Sequence, residues 1–133
     1  MTKPDAEDLR QIHNLLADYG QTLDEGRWED HFAVWAEDCE IFVFGRSFRG
    51  REAIDKFMRG AVRGKHITAA PHLEFDGDRA RSVSDFVFFR SSDLELFSAG
   101  LYRDDLVRTD EGWKLARREI EIQLRKPQVD KPK

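Results

Sequence analysis

Cysteine is almost absent from this 133-residue chain: Cys39 is the only one, alongside two methionines, two tyrosines and four prolines. A lone cysteine excludes an internal disulfide and fits a reducing compartment, so a cytoplasmic location is expected. No apolar run approaches the ~18 residues a membrane span requires. Met1 to Leu9 is polar and charged, unlike a secretion signal, so no membrane association is expected. A basic face is missing as well. The 22 Lys and Arg against 26 Asp and Glu give a net charge of −4, which argues against a nucleic-acid partner. There is no glycine-rich phosphate loop. No pair of His or Cys has ligand spacing on an expected element, so no metal is expected.

What remains is a single domain with enough length for one core. Its boundaries are read as 1–126, followed by a polar, Pro-containing tail at 127–133 expected to be disordered. Ten Phe and three Trp supply large rings for a core or an apolar pocket.

The chain is organised around Asp5 to Glu25. Leu9, Ile12, Leu15, Leu16, Tyr19 and Leu23 recur at helical steps on one stripe. Asp5 is the expected N-cap, Glu7 and Asp8 complement the helix dipole, and Gly26 supplies the stop. A shorter helix over Arg27–Trp35 carries Trp28, Phe32 and Trp35 on a buried stripe. Cys39–Phe44 reads as a strand, Gly45–Gly50 as a turn with a short strand, and Arg51–Val62 as a third helix with Ile54, Phe57 and Met58 inward.

From His66 the pattern changes to strands: His66–Phe75, with Pro71 implying an edge or bulge, then Arg79–Arg90, Leu94–Val107 and Trp113–Leu124. Asp76-Gly77-Asp78 and Thr109 to Gly112 are the turns. Three helices followed by a meander give an α+β design, with helices packed on one face of a curved antiparallel sheet.

Several residues in this pattern could carry chemistry. Arg118 is in step with Ile120, Ile122 and Leu124, so it either points into the interior, where a guanidinium needs an anionic partner, or marks a bulge. Asp85 shares parity with Val83, Val87 and Phe89, and either pairs with Arg118 or lines a pocket. Phe86 and Phe88 would then face outward and invite a partner subunit, a dimer or a trimer. His66 opens a strand; it is either structural or, with a carboxylate on one ring nitrogen, a base. His72 is its competitor. His13 and His31 read as helix-surface residues and Cys39 as core. Tyr19 is core by periodicity, but its phenol can donate to an oxyanion if it reaches a cavity. Tyr19 and Asp24 lie roughly 140° apart on an ideal helix, not strictly on one face.

The order of elements resembles the SnoaL-like branch of the nuclear-transport-factor-2-like superfamily over Leu9 to Leu124. The residues that carry this are Ile12-x-x-Leu15-x-x-x-Tyr19-x-x-x-x-Asp24, Trp35-x-x-Asp38-Cys39, Phe48-x-Gly50-x-x-x-Ile54, His66, Phe75-Asp76-Gly77-Asp78-x-Ala80, Gly100-x-Tyr102-x-Asp104 and Gly112-Trp113-Lys114-x-x-x-Arg118. The resemblance implies a cone-shaped roll: a strongly curved mixed β-sheet wrapped around three helices and open at one end over an apolar pocket.

Within that branch the chain looks most like the scytalone-dehydratase-like group, which includes bile acid dehydratases and hexachlorocyclohexane dehydrochlorinase. Asp24 and His66 match the positions of an Asp–His dyad used for elimination. Tyr19 matches a tyrosine of the bile acid enzymes, and Arg118 an arginine of the dehydrochlorinase pocket. Arg118, Asp85 and Trp35 are the residues expected to touch substrate. The chain departs from scytalone dehydratase in having Phe88, Phe89 and Arg90 where a second histidine is used. The implied function is a cofactor-independent lyase acting on a small apolar, polycyclic or steroid-like ligand. The alternatives are an isomerase or cyclase using the same base, and a non-catalytic binding or assembly subunit.

Overall fold

The first helix, α1 (Ala6–Glu25), begins at a reciprocal capping box: the Asp5 side chain accepts from the Asp8 backbone N–H, and Asp8 from that of Asp5. It ends where Gly26 turns left-handed at φ 68°. The stripe read from the sequence is the buried one, with Ile12, Leu15, Leu16, Tyr19 and Leu23 in the core; Leu9 stays exposed. The computed structural model describes residues 3–126, so the tail at 127–133 lies outside the described residues.

Two short helices follow, α2 (Trp28–Phe32) and α3 (Arg51–Arg59), flanking the hairpin of β1 (Trp35–Val43) and β2 (Arg46–Arg49). The second helix is therefore shorter than expected. Trp35, assigned to it from spacing, instead opens β1 and is buried there. The chain then runs through β3 (Gly64–Thr68), β4 (His72–Asp76), β5 (Arg79–Arg90), β6 (Leu96–Thr109) and β7 (Gly112–Arg125). The expected single strand His66–Phe75 is two strands, both antiparallel to β5 and separated at Ala69 to Pro71, where proline cannot donate to the ladder.

The sheet order is β2-β1-β7-β6-β5-β3, with β4 also on β5, and β1 runs parallel to β7. The sheet is thus mixed, curved and unclosed. Among the described residues no helix is long and apolar enough to cross a membrane.

Two bulges in β7 decide which side chains face the helices. Leu115 pairs with Leu106 but Arg117 with Asp105, so the inward set changes from Trp113 and Leu115 to Arg118. A second slip, between Ala99 and Gly100, sends Leu124 out to solvent although it shares Arg118's parity.

On β5 the parity expected from sequence is reversed. Ser82, Ser84, Phe86 and Phe88 are buried, whereas Asp85 and Phe89 are exposed. The outward-aromatic argument for a partner subunit therefore fails at Phe86 and Phe88: both sit on the concave face, and Phe86 stacks on Tyr102 with ring centroids 4.3 Å apart.

Candidate active site

Asp24 comes from the last turn of α1 and His66 from the middle of edge strand β3. Gly20 lets the two elements meet. A Cβ at that position would stand 3.2 Å from the Cβ of His66, a tight contact that makes the strand give by a few tenths of an ångström. The Asp24 carboxylate holds His66 at two points: Oδ1 lies 2.6 Å from ring Nδ1, and Oδ2 accepts the His66 backbone N–H at 2.9 Å. Asp24 is nearly buried and the His66 side chain is 18% exposed. Of the two ring nitrogens, Nε2 has no hydrogen-bond partner among the described residues. Lys65 Nζ, 3.7 Å from Oδ2, adds a cation on the solvent side.

His66 and Asp24 form part of the wall of a cavity of about 510 Å³, whose inner end is closed by Tyr19, Phe86, Phe88 and Tyr102. Tyr19 is packed edge-on to His66 with ring centroids 6.3 Å apart. Burial pushes the Tyr19 phenol up, only partly offset by Arg118, so it stays protonated as a donor. The ideal-helix angle between Tyr19 and Asp24 does not keep them apart, because the cavity wraps around the end of α1 and takes both as lining.

The remaining expected site residues lie elsewhere. Arg118 is fully buried beneath this floor rather than lining it. Its Nε and Nη2 donate to Asp104 Oδ1 and Oδ2 at 2.7 and 2.8 Å, so the anionic partner is Asp104, not Asp85. The guanidinium sits in the corner made by the edge-to-face rings of Tyr19 and Tyr102, 4.1 and 3.8 Å from their centroids. Burial works against its charge, and Asp104 more than offsets that, leaving its pKa raised. Its Nη1 and the hydroxyls of Ser82 and Ser84 are buried without hydrogen-bond partners among the described residues.

Asp85 is exposed on the convex face and reaches neither Arg118 nor the cavity. Trp35 is packed behind Tyr19 at 6.0 Å and does not line the cavity. His72 is exposed on β4, away from the dyad.

His31 departs from the surface position expected of it. It is buried, not on the helix surface, because α2 folds against α1. Trp35 Nε1 donates to its Nε2 at 3.2 Å, so its Nδ1–H donates to Thr22 Oγ1 at 2.9 Å, whose own proton goes to the Asp18 carbonyl. A ring with both nitrogens committed is a structural strut, and burial lowers its pKa to about 4. Cys39 is core, as read, its thiol pushed up to about 11 by burial. Among the described residues no cluster of His, Cys, Asp and Glu could hold a metal ion.

The comparisons agree with this architecture. An uncharacterized protein of Mycobacterium tuberculosis is 28% identical over 121 residues, covering 84% of this chain and 82% of its own. A nuclear-transport-factor-2-like protein with a cystatin-like fold from Novosphingobium aromaticivorans superposes with a TM-score of 0.81 at 29% identity, covering 88% of this chain and 82% of that one. A structure from the same organism, provisionally named a scytalone dehydratase, gives a TM-score of 0.78 at 23% identity over 93% and 89% of the two chains. Hexachlorocyclohexane dehydrochlorinase type 2 gives 0.80 at 17% identity over 93% and 90%, a likeness of fold alone. The SnoaL-like domain family itself matches residues 4–119, nearly the whole described chain, and this protein therefore belongs to it.

Proposed function

We propose that the protein is a lyase that eliminates a leaving group, water in the first instance, from an apolar substrate, with His66 as the base. The observation that carries this is the 2.6 Å contact between Asp24 Oδ1 and His66 Nδ1 at the wall of a largely apolar cavity. A carboxylate on Nδ1 fixes the tautomer that leaves the Nε2 lone pair free, and it stabilises the imidazolium formed when Nε2 takes a proton.

The step balances within these groups. Nε2 removes a proton from a carbon made acidic by a neighbouring carbonyl or double bond. The C–H electron pair becomes the new C=C bond, the C–O bond breaks, and the departing hydroxide takes the abstracted proton back from the His66 imidazolium and leaves as water, which restores the neutral base. Tyr19, kept protonated by burial, donates to the enolate oxygen or to the leaving hydroxyl. Arg118 acts on this only through the tyrosine rings that cover it.

That covering favours a second reading. A leaving anion finds no arginine on the cavity floor, and a base that returns its proton to a neighbouring carbon needs none. An isomerase with the same dyad would do so. One assay separates the two: incubate the protein with a panel of β-hydroxylated polycyclic ketones and of their β,γ-unsaturated counterparts. Conjugated product is followed by ultraviolet absorbance and water loss by mass. The lyase reading requires turnover of the hydroxylated panel with loss of water, reduced about 10²–10⁴-fold in His66→Ala. Turnover confined to the unsaturated panel, at constant mass, would replace it with the isomerase.

A further inference from the structure

The cavity has two chemically different ends. Its inner end holds the dyad and buried rings, while its outer end is formed by exposed residues, among them Phe44, Val62, Arg63 and Arg125. The charges are unevenly placed. The chain as a whole carries −4, yet the cavity is lined by three cations, Arg63, Arg125 and Lys126, against a single carboxylate, Asp24, already engaged with His66.

Lys126 is answered by Glu95 and Asp93. Among the described residues neither arginine has a carboxylate within ion-pair distance. Arg63 lies across the Trp28 ring at 5.3 Å and spends one donor on the Asp24 backbone carbonyl at 3.1 Å. That contact fixes it beside the dyad and leaves the rest of its fork free. Arg125 reaches over Phe44, 6.0 Å from the ring centroid. Phe44 is itself held at a left-handed φ of 55°, and the residue is 59% exposed at the rim.

We propose that the ligand of this cavity is an amphiphilic anion: an apolar, ring-sized body filling the inner end, with one carboxylate or similar anionic group held at the mouth by Arg63 and Arg125. The inference rests on the reading of this cavity as the substrate site and adds a charge to a substrate otherwise defined only as apolar. An apolar cavity alone would accept a neutral hydrocarbon equally well. Two uncompensated guanidinium groups on its rim discriminate by sign and prefer a planar, bidentate acceptor. Exposure limits each pair to a modest contribution, so selectivity comes from both together.

The test uses binding, not turnover, so a failed lyase reading and a failed charge reading are told apart. The probes are anilinonaphthalene sulfonate, an aromatic anion, and N-phenylnaphthylamine, its neutral counterpart. Each is titrated by fluorescence into the wild type, Arg63→Gln, Arg125→Gln, the double variant and Ile122→Trp, which fills part of the cavity. Circular dichroism and urea melts establish that each variant is folded. The proposal expects three results together: the anion binds with the lower Kd, the double variant weakens it by about three- to tenfold while leaving the neutral probe unchanged, and Ile122→Trp weakens both. Equal binding of the two probes, equal effects of the double variant on both, or an anion site indifferent to Ile122→Trp would each overturn it.

Discussion

Asp24 meets His66 twice, once through the ring at 2.6 Å and once through the backbone N–H at 2.9 Å, so the same carboxylate sets both the tautomer of the base and the position of its strand. Asp24→Asn keeps an oxygen able to accept one of these bonds but loses the negative charge that stabilises an imidazolium. Turnover of any substrate of this site should fall by 10²-fold or more, with a small change in stability. Asp24→Ala should lose the strand contact as well and lower the melting temperature further. Steady-state kinetics and thermal melts on the two variants check this pair of outcomes.

Gly20 makes that geometry possible, since its missing side chain leaves α1 against the Cβ of His66. Gly20→Val should separate helix from strand and lower turnover at least tenfold, with a stability loss of about 1–3 kcal/mol from overpacking. Unchanged kinetics in a folded Gly20→Val protein would show that the helix–strand distance is not critical.

The Arg118–Asp104 pair is buried on both sides and supports Tyr19 and Tyr102 from below. Arg118→Met leaves Asp104 as an unpaired buried carboxylate and should cost about 3–5 kcal/mol in urea unfolding. Replacing both partners by apolar residues of similar size should recover much of that loss. A double variant no more stable than Arg118→Met would show that packing against the two tyrosine rings, not charge pairing, is what the arginine supplies.

His31 gives the stability a pH dependence of known sign. It is neutral when folded and its pKa is lowered from 6.5 to about 4, so the unfolded chain takes up a proton that the folded chain refuses. Its contribution is complete above pH 6.5, is lost as pH falls from 6.5 to about 4, and amounts at most to ~3 kcal/mol. Asp8 acts lower on the scale. Arg108, Trp113 and the Asp5 backbone hold its carboxyl below the usual carboxylate range, so its contribution is lost only in stronger acid. Urea unfolding between pH 7 and pH 4 should show the decline in the wild type and a flatter profile in His31→Gln.

The first helix is the element most legible in the sequence, because its signals are local. The stripe along α1, the Asp5 cap and the Gly26 stop each depend on residues within one or two turns. The dyad was legible only through resemblance, since no periodicity brings Asp24 to His66 across a separation of 42 residues.

In the sheet, alternation is ambiguous where the structure departs from the expected parity. On β5 the buried row contains Ser82 and Ser84, and these serines face the polar Arg118–Asp104 layer instead of hydrocarbon. The row with Val83 and Val87 therefore looked the more apolar. On β7 the bulges shift parity at points where the residues themselves carry no turn signal. His31 was misplaced because a five-residue helix has too few turns for periodicity to name its inner face.

The central claim is that Asp24 fixes His66 with Nε2 as the free base, and nitrogen-15 NMR of the histidine rings tests it most directly. The account predicts that neutral His66 carries its proton on Nδ1, with Nε2 showing the shift of an unprotonated nitrogen. It also predicts that Asp24→Asn moves this ring toward a mixture of tautomers and leaves His31 unchanged. A His66 ring protonated on Nε2 in the wild type, or one indifferent to Asp24→Asn, would contradict the dyad and with it the proposed chemistry.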